Sequence, residues 1–120
     1  MCEQPADPDG VDAAARIERE RLVRRIADLT EELDEIVETA ASSVPDDEHD
    51  AEGSTVGYER ARVSALLEHG LRRLAELDDV QRLPRSGAGR ACRECGRIIP
   101  PERICALPAT RLCEPCARGR

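Results

Sequence analysis

Residues 92–116 read Cys92-Arg-Glu-Cys-Gly-Arg-Ile-Ile-Pro-Pro-Glu-Arg-Ile-Cys-Ala-Leu-Pro-Ala-Thr-Arg-Leu-Cys-Glu-Pro-Cys116. Within them Cys92, Cys95, Cys113 and Cys116 stand in the order C-x2-C-x17-C-x2-C, the spacing that closes a tetrahedral four-thiolate zinc site. Each C-x2-C pair lets a tight turn aim two sulfurs at one ion, and Gly96 and Pro115 sit in or beside those turns. Four thiolates fill the coordination sphere and leave no position for water or substrate. The expected site is therefore structural and holds one zinc ion. A redox C-x-x-C pair and a pair of disulfides are the competing readings, but thioredoxin-like chemistry needs a βαβ scaffold and no strand pattern is visible to build one.

The rest of the chain explains why such a staple is needed. With 120 residues, 36% of them charged, and Tyr58 as the only aromatic residue, the chain cannot fill a large globular core. Chains of this kind rely on a metal, on disulfides or on long helix pairing, and the first and third are on offer. No stretch approaches the apolar length of a membrane span, and Met1 to Gly10 is acidic and Pro-rich, unlike a signal peptide. Paired cysteine spacing without a signal favours reduced thiols and a cytoplasmic location. Cys2 and Cys105 are then left over, Cys2 as a free thiol on a tail and Cys105 as a small buried or half-buried residue.

Working outward from the cysteines, Ser86-Gly87-Ala88-Gly89 reads as a short flexible hinge in front of the zinc module, which is assigned residues 84–120. Upstream, Val56, Val63, Leu67, Leu74 and Leu77 form one stripe of a helix that ends before Pro84, with Leu66 and Leu71 widening it. A further helix from Asp12 to about Ala41 carries Leu22, Ile26, Leu29, Leu33, Ile36 and Ala40 in alternating steps of four and three, with Ala15 one heptad before Leu22. Between the helices, Ser42-Ser43-Val44-Pro45 breaks the pattern, an acidic run follows from Asp46 to Glu52, and Gly53-Ser54-Thr55 offers a turn and an N-cap. Folding back about residue 48 sets Leu33 against Val63, Leu29 against Leu67, Ile26 against Leu71 or Gly70, and Leu22 against Leu74. Apolar meets apolar along the arm. The expected fold is all-α: an antiparallel two-helix coiled-coil hairpin over residues 12–83 with an acidic tip at 42–54, preceded by a disordered acidic tail at 1–11 and followed by the four-cysteine module. A parallel coiled coil of two copies is the alternative, disfavoured by the break and by the register; the expected state is a monomer.

Charge is distributed unevenly. Residues 1–83 hold 10 Arg against 22 acidic residues, whereas residues 84–120 hold 8 Arg against 3 Glu. No pair of catalytic groups stands out, and His49 and His69 are isolated, so no enzymatic activity is expected. Arg93, Arg97, Arg111 and Arg118 are candidates to offset the negative charge of a four-thiolate zinc site. Without aromatic residues to stack on bases, sequence-specific DNA reading is not expected. Carboxylates at the tip of a thin helical hairpin can enter a narrow channel and act on a cation or a basic side chain there.

Gly96, Ile99, Pro100, Glu102, Arg103, Pro108 and Leu112, together with the four cysteines, closely resemble the DksA/TraR-type C4 zinc finger, in which C-x2-C-G-x-x-I-P, E-R-L and A-x-P stretches lead to the second C-x2-C. An acidic-tipped helical hairpin upstream extends the likeness to most of the chain from about Val11 onward. The resemblance implies a regulator that binds bacterial RNA polymerase and inserts its coiled coil into the secondary channel to modulate initiation, often together with the alarmone ppGpp. It places the family's tip pattern D-x-x-D-x-A on Asp47, Asp50 and Glu52, with Glu52 where the family has Ala, and sets Tyr58 at a downstream aromatic position. The chain stops just after Cys116, where longer members continue as a helix. The alternative function is a zinc-finger protein–protein adaptor without direct action on transcription.

Overall fold

A computed structural model of the chain describes residues 8–42 and 51–119 and is mostly helical. The order of elements is α1 (Pro8–Ser42), α2 (Ala51–Gln81), β1 (Arg90–Ala91), β2 (Ile98–Ile99), α3 (Pro101–Ala106) and α4 (Glu114–Arg118). Two compact units share the long helices: Met1–Arg21 with Arg73–Arg120, and Leu22–Arg72.

The Leu22–Arg72 unit is a pair of helical segments with one apolar line between them. Leu29 and Val63 are buried, at 1% and 0% exposure, while Leu22, Ile26, Leu33, Ile36 and Leu67 are half-buried. Gly70 is also buried, and a Cβ there would stand 3.2 Å from Cγ1 of Ile26. Arg62 pairs with Glu32 at 3.2 Å. Since residue 26 meets 70 and residue 32 meets 62, the segments run in opposite senses. Leu66 and Leu71, expected to widen the stripe, are 36% and 49% exposed, and Ala40, expected on the seam, is exposed as well. A helix pair offers a single line of contact, and positions off that line have no third layer to pack on. The second helix begins at Ala51, so Gly53, Ser54 and Thr55 lie inside it where a turn and an N-cap were expected. Asp47 and Asp50 lie outside the described residues, and Glu52 lies in the first turn of α2.

The other unit joins the start of α1, the end of α2 and all of the chain that follows. Ala15, Leu77 and Val80 are buried along its helical part. Around them Arg19 pairs with Asp78 at 3.1 Å, Arg73 with Glu18 at 3.3 Å, and Arg85 with Asp12. These pairs are partly or largely solvent-exposed, so each stabilises by roughly 0.2–1 kcal/mol and serves to fix register more than to hold the unit together. The core proper is small: Val11, Ala88, Cys92, Ile99, Ile104 and Cys113, with Cys105, Leu112 and Cys116 packed against it. Helix α1 starts at Pro8, so Val11, expected at the end of a tail, is 2% exposed within that core.

Ser86-Gly87-Ala88-Gly89, expected as a flexible hinge, is instead a closed turn. Ser86 and Gly89 exchange both backbone hydrogen bonds at 3.0 Å, and Gly87 takes φ 61°. A positive φ at the first central position only is the two-residue hairpin geometry that asks for Gly there. Ala88, Gly89 and Arg90 behind it are buried. The turn feeds β1, which pairs antiparallel with β2 in the register Arg90↔Ile99 and Ala91↔Ile98. Two-residue strands leave no period-2 pattern in the sequence, which is why the chain reads as purely helical.

Candidate metal centre

The β1–β2 hairpin builds the first cysteine pair. Cys92 N–H donates to the Arg97 carbonyl at 2.7 Å and Gly96 N–H donates to the Cys92 carbonyl at 2.9 Å, closing a loop around Cys95. Gly96 takes φ 75°, a left-handed conformation that a side chain would resist, so the glycine after the second cysteine is a backbone requirement. The second pair sits at the start of α4, where Cys113 is the residue before the first turn and Pro115 occupies an early helical position that needs no N–H donor. Ala117 N–H donates to the Cys113 carbonyl at 3.0 Å and holds that turn closed.

These two knuckles bring the sulfurs of Cys92, Cys95, Cys113 and Cys116 within 4.8 Å of one another, with Cys95 Sγ and Cys113 Sγ 3.6 Å apart. A tetrahedral ion with metal–sulfur bonds of about 2.3 Å requires sulfurs about 3.8 Å apart, so the thiols are already gathered to the dimensions of one four-coordinate metal ion. All four are free thiols. Cys92 and Cys113 are buried, Cys116 is half-buried and Cys95 is exposed, so an ion here would have one solvent-facing edge. Cys105, left over in the sequence reading, is half-buried beside the core as expected, but it is disulfide-bonded, and the expectation of reduced thiols throughout does not hold for it. It stands on α3, outside the four-sulfur cluster.

The electrostatics of the four thiols are unequal. Cys113 N–H donates to Cys92 Sγ at 3.4 Å, and with further donation from the backbone at Cys95 and Glu94 this lowers the Cys92 thiol to about 6. Cys116 is pushed up to about 12, first by its hydrogen bond with the Cys113 thiol and next by desolvation. The first sulfur ionises readily and the last is held protonated by its neighbours. Full ionisation of the set therefore calls for a cation at its centre, and loading one displaces protons.

The arginines divide in a way that composition alone does not reveal. Arg93, Arg97, Arg111 and Arg118, nominated to offset the site's charge, are exposed, and Arg118 pairs with Glu114 one helical turn away. The arginines built into the structure are Arg90 and Arg103. Arg90 is 6% exposed, and its Nη1 donates to the carbonyls of Pro108 at 2.9 Å and Thr110 at 3.0 Å. Desolvation, with Arg85 and Arg111 nearby, lowers its pKa. Arg103 Nε donates to the Leu112 carbonyl at 2.9 Å. Its neighbour Glu102 is exposed, as is Pro100 at the start of α3, while Ile99 is fully buried, Pro108 is buried and Leu112 packs on the core. Arg90 carried no sequence signal that set it apart from seven other arginines in residues 84–120.

No protein-family model matches the chain, and neither a characterised protein nor a solved structure is recognisably similar to it. No described helix is long and apolar enough to cross a membrane.

Proposed function

We propose that the chain is a non-enzymatic regulator of bacterial RNA polymerase: a zinc-bound four-cysteine finger supports an antiparallel coiled-coil hairpin whose acidic tip enters the secondary channel and modulates initiation. The observation that carries the reading is the convergence of Cys92, Cys95, Cys113 and Cys116 on one point, because it accompanies structural uses for the residues that make the segment resemble a DksA/TraR-type finger. Gly96 supplies the left-handed turn, Ile99 the buried centre, Arg103 the hold on Leu112, and Pro108 a buried corner. Four thiolates with no other donor suit zinc among the common metals, and a filled coordination sphere supports a structural role. The opposed helix segments support the hairpin, and the acidic run 46–52 between them supplies Asp47, Asp50 and Glu52 as the residues that act on the polymerase. The chain works in the cytoplasm, as a monomer on polymerase, with ppGpp as a candidate co-regulator.

The test separates binding from action. Full-length protein should co-purify with core polymerase and alter multi-round transcription from promoters with short-lived open complexes. Asp47→Asn with Asp50→Asn removes two charges while keeping shape, so it should bind within about tenfold, under roughly 1.4 kcal/mol, and fail to regulate. Glu52→Ala should keep or strengthen the effect. Binding to polymerase with unchanged transcription in every arm would leave the adaptor reading in place of this one.

A further inference from the structure

The loop Leu107–Leu112, which crosses between α3 and the second cysteine pair, is held by its carbonyl groups. Thr110 N–H donates to the Leu107 carbonyl at 2.9 Å, Arg90 takes the carbonyls of Pro108 and Thr110, and Arg93 N–H takes that of Arg111 at 3.0 Å. The last carbonyl, Leu112, accepts from both Arg103 Nε at 2.9 Å and Thr110 Oγ1 at 3.1 Å. That carbonyl belongs to the same planar peptide unit as the Cys113 N–H, and the two groups point in opposite directions from the C–N bond. A donor that pins the Leu112 oxygen therefore sets where the Cys113 N–H points. It points at Cys92 Sγ, 3.4 Å away, across the gap between the two cysteine knuckles.

We propose that Arg103 is a positioning residue of the metal centre: through the Leu112–Cys113 peptide it aims the Cys113 N–H at the Cys92 sulfur and so sets the spacing of the two C-x2-C knuckles before metal arrives. Arg103 is half-buried, and its Nε, the donor nearest the helix backbone, makes the contact. A lysine keeps the positive charge but places a methylene where that Nε stands. Charge compensation of the four-thiolate site and positioning by a directed N–H thus make opposite predictions for Arg103→Lys. Arg90 holds the same loop four and two residues earlier, through the carbonyls of Pro108 and Thr110.

The proposal rests on the metal reading above but is tested on an atom that does not need the metal. In the reduced full-length chain, the Cys113 amide proton is followed by NMR in the wild type, Arg103→Lys and Arg103→Met, with and without Zn²⁺, and Co²⁺ titrations follow thiolate-to-metal charge transfer. The expected result in both variants is an upfield move of the Cys113 amide, at least tenfold faster exchange of that proton, and roughly tenfold weaker Co²⁺ binding. If the Met variant fails to fold, Arg103→Lys decides alone. A Cys113 amide in Arg103→Lys that matches the wild type in shift and exchange overturns the proposal, because charge and not the Nε donor would then be what matters. If the wild type gives no Co²⁺ charge-transfer band, the metal reading falls, and the amide comparison still decides the role of Arg103.

Discussion

Of the described glycines, Gly89 is the one where a side chain would meet the closest neighbours, and it gives the sharpest test of the structure. A Cβ at Gly89 would stand 2.6 Å from Cγ2 of Ile98 and 2.8 Å from the carbonyl oxygen of Ile99, and the second of these is backbone that cannot rotate away. Ordinary contact begins at 3.4 Å, so β2 would have to retreat by about 0.6 Å from the turn that feeds β1. Overpacking of this kind costs about 1–3 kcal/mol, and contact with backbone argues for the upper end. Loss of glycine's freedom in the unfolded chain returns roughly 0.4–1 kcal/mol, leaving a net cost of about 2 kcal/mol. The β1–β2 pair forms the first cysteine knuckle, and folding and metal binding are one equilibrium in such small sites. Gly89→Ala should thus weaken zinc about thirtyfold, at about 1.4 kcal/mol per tenfold. Gly57→Ala is the control: it lies in α2, nothing stands within 4 Å of its Cβ position, and alanine in a helix is favoured over glycine by roughly 0.5–1 kcal/mol, so zinc binding should be unchanged. The assay is competition with a chromophoric chelator under reducing conditions, with circular dichroism to show that α1 and α2 persist. If Gly89→Ala holds zinc as tightly as Gly57→Ala, the turn does not pack on β2 as described.

Other outcomes follow from the same structure. Purified protein should contain one zinc per chain, and Ser at Cys92, Cys95, Cys113 or Cys116 should abolish stable binding, whereas Cys105→Ser should not; metal analysis of the five variants checks this. Leu29→Ala removes a side chain that is 1% exposed and should cost about 2–4 kcal/mol, visible as an earlier thermal loss of helical circular dichroism, while Leu71→Ala, at 49% exposure, should cost under about 1 kcal/mol. In the metal-free reduced chain, Cys92 has its folded-state value lowered from 9.0 to about 6, so its contribution to stability is present above 9.0 and is lost as pH falls through about 6. Thiolate absorbance should accordingly show one group titrating near pH 6 that is missing from Cys92→Ser.

How much could be read from the chain follows the range of each interaction. The helix pair was legible because its period repeats over many residues: Leu29 and Val63 are buried, and the contact between residues 26 and 70 falls on the offset that the apolar pattern sets. The four-cysteine cluster was legible because two short loops of fixed geometry leave a fixed spacing. What escaped depends on contacts between segments far apart in sequence. Val11 looks like the edge of an acidic tail, and only the packing of α1 on the finger core makes it a core residue. Ser86 to Gly89 has a linker's composition, yet Gly89 is small because Ile98 and Ile99 lie against it, a fact that belongs to β2 and not to the turn. Arg90 and Arg103 look like six other arginines nearby, and their distinction lies in carbonyl groups 18–20 and 9 residues away. One physical cause runs through these cases. A core of six buried residues cannot fix a fold by apolar burial alone, so the finger takes its rigidity from directed backbone contacts and, in the proposed holo state, from the metal. A sequence records a cysteine cluster in its spacing, but it does not record which carbonyl a guanidinium will meet.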